Sequence, residues 1–388
     1  MKILSLSYKN TFQEWEFEDI NFFDLTLLVG ISGVGKTQIL DSINTLKQVT
    51  NGNSINGIEW DINFIANNGD KYRWQGSFEK IPTQSNILES FEDFPFIDDN
   101  KNKKIKPKIK NEKIFINDSK TPVTQRKDKK IYFNGNIMPK LSSQESCVNI
   151  FKEEDAIKPI YESFKKIVFR DHTQKENIGF GYRGQSITKK YQTLDRIRES
   201  DLDTIDKLNC LYENVPLVFA QIKEKFIDVF PQVQDIKIEP LRGKNVPSFM
   251  IGTPIVTIKE TNVDKWIPQQ RISSGMLRTF LHISEMFLWS DGTVILIDEF
   301  ENSLGVNCID VLTEDLIFEN NRIQFIATSH HPYIINKIPY DYWKIITRYG
   351  GKIKTYDAKD FDLGDSHHER FMNLINLPLY RKGLTTLI

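Results

Sequence analysis

Cysteine is scarce in this chain: three residues among 388, at Cys147, Cys210 and Cys308. An odd number so widely spaced excludes a disulfide framework and any CxxC zinc knuckle, and a reducing, cytoplasmic setting is expected. Long apolar runs are missing as well. No window approaches the ~18 consecutive apolar residues of a membrane span, and Met1-Lys2-Ile3-Leu4-Ser5-Leu6 turns polar again by Lys9. The expectation is no leader, no anchor and no membrane partner. Net charge is almost absent, with 51 Lys and Arg against 52 Asp and Glu. No whole-molecule field would draw the chain onto nucleic acid or acidic lipid, so any such binding must be local. There is no internal repeat, and no apolar run sustains the heptads of a coiled-coil arm.

What is present is an ordinary globular composition, 39% hydrophobic and 27% charged, in a chain long enough for two or three domains. Strand character opens the chain at 3–6, at Trp15, Phe17 and Ile20, and at 25–29; a helix is expected near 37–49. Segments 60–66 and 72–78 flank Asn67-Asn68-Gly69-Asp70, a hairpin signal because Asn and Gly tolerate positive φ. From 81 to 135 the pattern decays into Pro, Ser, Asn and charge and reads as an exposed basic insertion. Helical spacing at Ile157, Ile160, Phe164, Ile167 and Val168, and again at Leu194, Ile197, Ile205, Leu208 and Leu211, makes 136–240 a helical lobe. Strand and helix alternate again at 249–259, 274–289, 294–297 and 323–328. The order predicts an α/β fold whose halves, 1–80 and 241–360, are separated by the insertion and the lobe; 361–388 reads as a docking tail through Leu377-Pro378-Leu379-Tyr380.

Two motifs carry chemistry. Gly30-Ile31-Ser32-Gly33-Val34-Gly35-Lys36-Thr37 fits the phosphate loop GxxxxGK[ST], with an apolar strand before it and a helix after it. Glycines let backbone N–H groups turn toward phosphate oxygens, the helix end adds positive potential, Lys36 adds a charge, and Thr37 suits Mg²⁺. Val294-Ile295-Leu296-Ile297-Asp298-Glu299 is a buried strand that delivers two carboxylates at its C-terminal end, where α/β sheets place ligands. Asp298 suits the outer sphere of Mg²⁺, and Glu299 suits polarisation of an attacking water. Since 262 positions separate Asp298 from Lys36, a large insertion must split the core.

Between these motifs lies Arg271-Ile272-Ser273-Ser274-Gly275-Met276-Leu277-Arg278, a small-residue turn opening a helix. The combination resembles the ABC-type ATPases, in particular their SMC-like and RecF-like branch. The resemblance implies an ABC-type phosphate-loop ATPase head with an inserted helical lobe, and ATP with Mg²⁺ as cofactors. It places Ser273 and Gly275 at the signature serine and second glycine, although Ser274 stands where many members carry glycine or aspartate. Glu301-Asn302-Ser303-Leu304 is similar to this branch's D-loop. Ala327-Thr328-Ser329-His330-His331-Pro332 is similar to its switch-histidine strand, so His330 takes the γ-phosphate contact. Gln144, in Leu141-Ser142-Ser143-Gln144-Glu145, takes the Q-loop role beside the metal. The family's sandwich geometry implies a homodimer or higher homo-oligomer in which Ser273 of one subunit completes the site built by Lys36 of the other.

Other signals are set aside. Gly179-Phe180-Gly181-Tyr182-Arg183-Gly184 satisfies GxGxxG, but the polar residues before it deny it a buried strand. His330-His331 and His367-His368 are adjacent pairs that do not converge on one zinc ion. The lysines from Lys101 to Lys113 read as a solvated face, with contact to a nucleic-acid backbone as the alternative.

The layout further resembles standalone ATPases related to the OLD family and the ATPase subunits of anti-phage systems such as PARIS and Septu. That resemblance implies a nucleotide-gated sensor and scaffold working with a separately encoded effector such as a nuclease. Two alternatives stay open: a DNA repair or maintenance ATPase that grips duplex DNA itself, and, ranked last, the motor subunit of a transporter.

Overall fold

Alternating apolar residues build one large mixed sheet, flanked by helices. The structure, a computed structural model, describes residues 1–82, 106–170, 184–243, 246–300 and 323–383. In the first third are β1 (Lys2–Asn10), β2 (Trp15–Asn21), β3 (Leu25–Val29), α1 (Lys36–Thr50), β4 (Ile58–Ile65) and β5 (Lys71–Phe78). There follow β6 (Ile109–Ile116), β7 (Thr124–Lys127), β8 (Lys130–Phe133), β9 (Asn136–Ile137), α2 (Cys147–Ile150), α3 (Lys158–Lys165) and β10 (Ile167–Arg170). The middle holds α4 (Gly184–Lys190), α5 (Leu194–Arg198), α6 (Thr204–Asn214), α7 (Pro216–Val229), β11 (Val233–Pro240), β12 (Pro254–Glu260) and β13 (Ile267–Pro268). The last third holds α8 (Ser274–Leu288), β14 (Val294–Ile297), β15 (Gln324–Ser329), α9 (Pro332–Lys337), β16 (Trp343–Tyr349), β17 (Lys352–Asp357), α10 (His367–Asn376) and α11 (Pro378–Lys382).

Among the described residues fourteen strands join in the order β10-β14-β15-β3-β16-β17-β2-β1-β4-β5-β6-β7-β8-β9, and β11-β12-β13 form a separate small sheet. β10, β14, β15, β3 and β16 are mutually parallel; beyond them the pairing is antiparallel except where β17 meets β2, which is parallel. The parallel strands are apolar on both faces, as strands covered from both sides must be. Leu25, Leu27, Val29, Ile295 and Ile297 face the side that α7 and α8 cover through Phe226, Phe280 and Ile283. Leu28, Val294, Leu296 and Ile326 face the opposite side, where α1 packs Ile39, Leu40, Ile43 and Leu46. Because the strands run parallel, β3, β14 and β15 end on one edge of the sheet, so their C-terminal loops share a single neighbourhood.

The stretch expected to be an exposed insertion differs over 109–137, where the chain makes β6 to β9 and extends the sheet. Ile109-Lys110-Asn111-Glu112-Lys113-Ile114-Phe115-Ile116 reads as polar because only alternate side chains turn inward, and one that does is Glu112. That carboxylate is fully buried. It accepts hydrogen bonds from Trp74 Nε1 (2.9 Å), Ser146 Oγ (2.5 Å) and the Cys147 N–H (2.8 Å), while the Arg126 Nε lies 3.9 Å away. Arg126 also donates to the carbonyls of Ser142 and Glu145. A buried charge so surrounded fastens the extension to the loop before α2. Lys101 to Ile105 lie outside the described residues.

Within the expected helical lobe, α2 to α7 are helices, but besides β9 at its start two further described segments are strands. Ile167 and Val168 continue the apolar spacing of α3, yet they belong to β10, which runs parallel to β14 with Ile167 opposite Val294. A short apolar run carries no period of its own, and the open edge of β14 decides its state. Arg170 ends that strand. Its carbonyl accepts the Asp298 N–H at 3.2 Å, and its guanidinium pairs with Glu285 of α8, tying the lobe to the carboxylate strand. The second strand, β11, pairs with β12 in the small sheet.

Candidate functional site

The loop between β3 and α1 turns through two left-handed residues, Gly33 (φ +84°) and Gly35 (φ +101°). A Cβ at Gly35 would also collide with the Ile353 side chain, so glycine is required there twice over. At the start of α1 Lys36 folds back over the loop, its Nζ donating to the carbonyls of Gly30 (2.8 Å) and Ile31 (3.0 Å). Val34 is buried and Ser32 exposed. The helix carries no acidic residue in its first turn that would compete for an anion.

Asp298 meets this loop from β14. The Thr37 hydroxyl donates to its carboxylate, at 2.9 Å from Oδ2 and 3.2 Å from Oδ1. Thr328, one strand over, donates its hydroxyl to Asp298 Oδ1 at 2.7 Å and accepts the Glu299 N–H at 2.7 Å. Glu299 itself is exposed and stands in the left-handed region at φ +48°. His330 follows the last residue of β15; with Ser329 opposite Val29, it stands at the level of Gly30, exposed. The structure thus brings Lys36, Thr37, Asp298, Glu299 and His330 to one edge of the sheet. A hydroxyl, two carboxylates and an ammonium around a ring of amides can hold a polyphosphate and a hard divalent cation, whose preferred ligands are oxygens.

Gln144 is elsewhere, which corrects its expected place beside the metal. Its carbonyl accepts from Ser54 Oγ (3.1 Å) and its Nε2 donates to the Lys106 carbonyl (3.3 Å). Ser54 lies just beyond the C-terminal end of α1, a helix of 15 residues and so roughly 22 Å long, with the phosphate loop at its other end. A lone glutamine in a polar loop carries no information about which helix end it will meet.

Ser273 and Gly275 begin α8, on the sheet face opposite α1. Ser273 caps its own helix, its hydroxyl accepting the Met276 N–H at 3.3 Å, and both residues keep an open side: Ser273 is exposed, and a Cβ at Gly275 would meet nothing within 4 Å. Buried Gln269 holds the approach to this turn by accepting the Val256 N–H of β12 at 3.0 Å. The second histidine, His331, caps α9 by accepting the Tyr333 N–H on Nδ1. The segment 301–304 and most of the GxGxxG stretch lie outside the described residues.

Three features near the loop escaped sequence reasoning. Thr328 is one, and its signal was a hydroxyl residue near the C-terminal end of a wholly buried strand. Arg348 of β16 is another, donating to Gln38 Oε1 in the first turn of α1 at 2.9 Å. Gly383 is the third: it ends α11 at φ +59°, its carbonyl accepts the Arg348 N–H at 2.8 Å, and a Cβ there would come within 2.6 Å of the Ile31 side chain in the phosphate loop.

Of the lysines offered as a nucleic-acid track, Lys113 lines a groove of about 730 Å³ on the polar face of β1, β2 and β4 to β7. Lys9 and Lys127 line it too, but so do Glu16, Glu18, Glu59 and Asp61, and such a mixture gives a phosphate backbone no continuous positive path. Among the described residues no helix is long and apolar enough to cross a membrane.

Residues 160–336 match the family described as "AAA domain, putative AbiEii toxin, Type IV TA system". No curated protein matches the sequence. Solved structures similar to this chain include an SMC head bound to the C-winged helix domain of ScpA, at 13% identity and TM-score 0.48, covering 93% of this chain and 99% of that one. The SMC head domain from Thermotoga maritima aligns at 12% identity and TM-score 0.43, covering 92% and 99%. An SMC head domain with an extended coiled coil, bound to the C-terminal domain of ScpA derived from Pyrococcus furiosus, aligns at 12% identity and TM-score 0.48, covering 92% and 97%.

Proposed function

We propose that this chain, whose residues 160–336 match an AAA-domain family, is an SMC-like ABC-type ATPase that converts ATP and water to ADP and phosphate. The observation that carries the reading is the meeting of Thr37 with Asp298 at the mouth of a glycine-built loop holding Lys36. In a nucleotide complex Lys36 and the loop amides bind the phosphates, and Glu299 orients the attacking water from the strand end beside them. Mg²⁺, held by Thr37 and Asp298, would supply charge neutralisation on the phosphate oxygens. His330 faces the same edge and suits the terminal phosphate. Since phosphoryl transfer is mostly positioning and electrostatics, these groups would act most strongly once a closed site keeps the one attacking water and excludes bulk solvent.

Closure requires a second surface. Ser273 and the open flank of Gly275 sit at the tip of α8, twelve residues and roughly 18 Å along the helix from the Glu285 anchor. This exposed turn suits the γ-phosphate of a nucleotide held by another copy, so ATP would join two chains and hydrolysis would release them. The biological reading that follows is a nucleotide-gated sensor or scaffold in anti-phage defence, acting with a separate effector.

The test is phosphate release by the purified chain, together with its mass in solution. Wild type should hydrolyse ATP, and Glu299→Gln should bind ATP and shift to a dimer only when ATP is present. Absence of both turnover and nucleotide binding would refute the ATPase; ATP binding at constant mass over a wide concentration range would refute the gated dimer alone.

A further inference from the structure

Asp298 and Glu299 leave β14 together, and one side chain from the next strand holds both. Ile297 lies opposite Ala327 in β15, so Thr328 falls beside Asp298. Its side chain is fully buried. A hydroxyl owns a single proton. Thr328 spends it on Asp298 Oδ1 (2.7 Å), which turns an oxygen lone pair toward the Glu299 N–H (2.7 Å). The two bonds therefore fix each other's direction.

Both bonds go to groups whose placement the chemistry needs. The Asp298 carboxylate is oriented from two sides, by Thr328 on Oδ1 and by Thr37 chiefly on Oδ2. Glu299 occupies a backbone conformation, φ +48°, that a residue with a Cβ adopts only when its surroundings insist. The N–H that Thr328 holds belongs to that residue. Extended backbone at 299 would continue the line of β14; the left-handed turn swings the chain off that line and changes where the Glu299 carboxylate points. If Thr328 only filled space, valine, with nearly the same shape, would serve as well at this fully buried position.

We propose that Thr328 is the positioning residue of the hydrolytic site, coupling the metal-side carboxylate of Asp298 to the water-side carboxylate of Glu299 through one hydroxyl. This rests on the ATPase reading above. It assigns Thr328 to the rate of turnover and to the metal requirement, and leaves nucleotide affinity to the phosphate loop.

The test compares full-length wild type with Thr328→Val and Thr328→Ser. Thr328→Val should bind ATP within about threefold of wild type, hydrolyse it at least about tenfold more slowly, and need several-fold more Mg²⁺ for half-maximal rate; Thr328→Ser should recover most of the loss. Without nucleotide, hydrogen exchange at the Glu299 amide should quicken in Thr328→Val and stay near wild type in Thr328→Ser. Thr328→Val turnover within about twofold of wild type would overturn the positioning role. So would unchanged exchange at Glu299. Should Thr328→Val fail to fold, Thr328→Ala against Thr328→Ser makes the same comparison, and equal rates and exchange in the two would count against the proposal. If wild type itself neither binds nor hydrolyses ATP, the ATPase reading falls, and the exchange measurement alone decides whether the tether exists.

Discussion

Thr37 and Asp298 are 261 residues apart in the chain and meet through a hydroxyl that donates to a carboxylate at 2.9 Å. The contact is possible because β3 and β14 flank β15 in a parallel sheet and end on the same edge. One residue thus comes from the loop that would hold phosphate, the other from the strand that would hold the metal's outer sphere. Removing Mg²⁺ with a chelator should abolish phosphate release, and Asp298→Asn, which keeps the shape and removes the charge, should raise the Mg²⁺ needed for half-maximal rate. Turnover that survives complete chelation would break the assignment of this pair.

Lys36→Ala and Glu299→Gln should fail differently. Lys36 supplies phosphate charge, so its loss should weaken ATP binding by about tenfold or more, whereas Glu299→Gln should bind normally and turn over at least about a hundredfold more slowly. Titration with a fluorescent ATP analogue and a phosphate-release assay separate the two effects. Equal binding by both variants would remove Lys36 from the site.

Glu112 is buried with three donors and a guanidinium around it. Glu112→Ala leaves Arg126 as an uncompensated buried cation and should cost about 3–5 kcal/mol. Urea denaturation followed by tryptophan fluorescence reports it directly, since Trp74 donates to this carboxylate. A loss under about 1 kcal/mol would mean the extension is not fastened there.

Burial pushes the Cys210 thiol from its ordinary 9.0 up to about 11, and burial with the nearby Glu112 carboxylate raises Cys147 as well. The nucleophile is the thiolate, of which Cys210 at pH 8 would present roughly one part in a thousand. Both should resist iodoacetamide in the native protein and react in urea, read by mass spectrometry of the peptides. The unfolded Cys210 thiol loses its proton first, so the stability it contributes is complete below about pH 9 and declines as the pH climbs toward 11. Rapid native labelling of Cys210 at pH 8 would contradict its burial.

Gly383 accepts from Arg348 and sits against Ile31, so the end of α11 braces the phosphate loop. Gly383→Ala adds a Cβ both at φ +59° and in contact with Ile31, and should cost about 1–2 kcal/mol while weakening ATP binding. Thermal melting with and without ATP reads both. A variant unchanged in each would detach the tail from the loop.

The readable parts of the sequence were those whose chemistry is contiguous. Eight consecutive residues define the phosphate loop, and β14 announces itself because a short apolar run ends in Asp298-Glu299. What escaped depends on register or on distant partners. Thr328 matters only because β15 aligns Ala327 with Ile297, a relation no local pattern encodes. Gln144 was misplaced for the converse reason: its residue type fits a role, but the loop that carries it belongs to the far end of α1. β6 was hidden by Glu112, an inward position held by a charge, and β10 by apolar residues that prolong the spacing of α3.

The place of β3 in the sheet also bears on how the chain is made. β3 is an early strand, yet its two neighbours, β15 and β16, are made from residues 324 to 349. On the ribosome Leu25-Thr26-Leu27-Leu28-Val29 therefore emerges with both edges open and waits for partners until residues 324 to 349 are made. Such a non-local pairing folds slowly, and an apolar ribbon with free edges is a template for association with other chains. A nascent polypeptide stopped before Trp343 would hold a complete GxxxxGKT motif on an unfinished sheet, and its fate would be capture by a chaperone or aggregation rather than weak nucleotide binding.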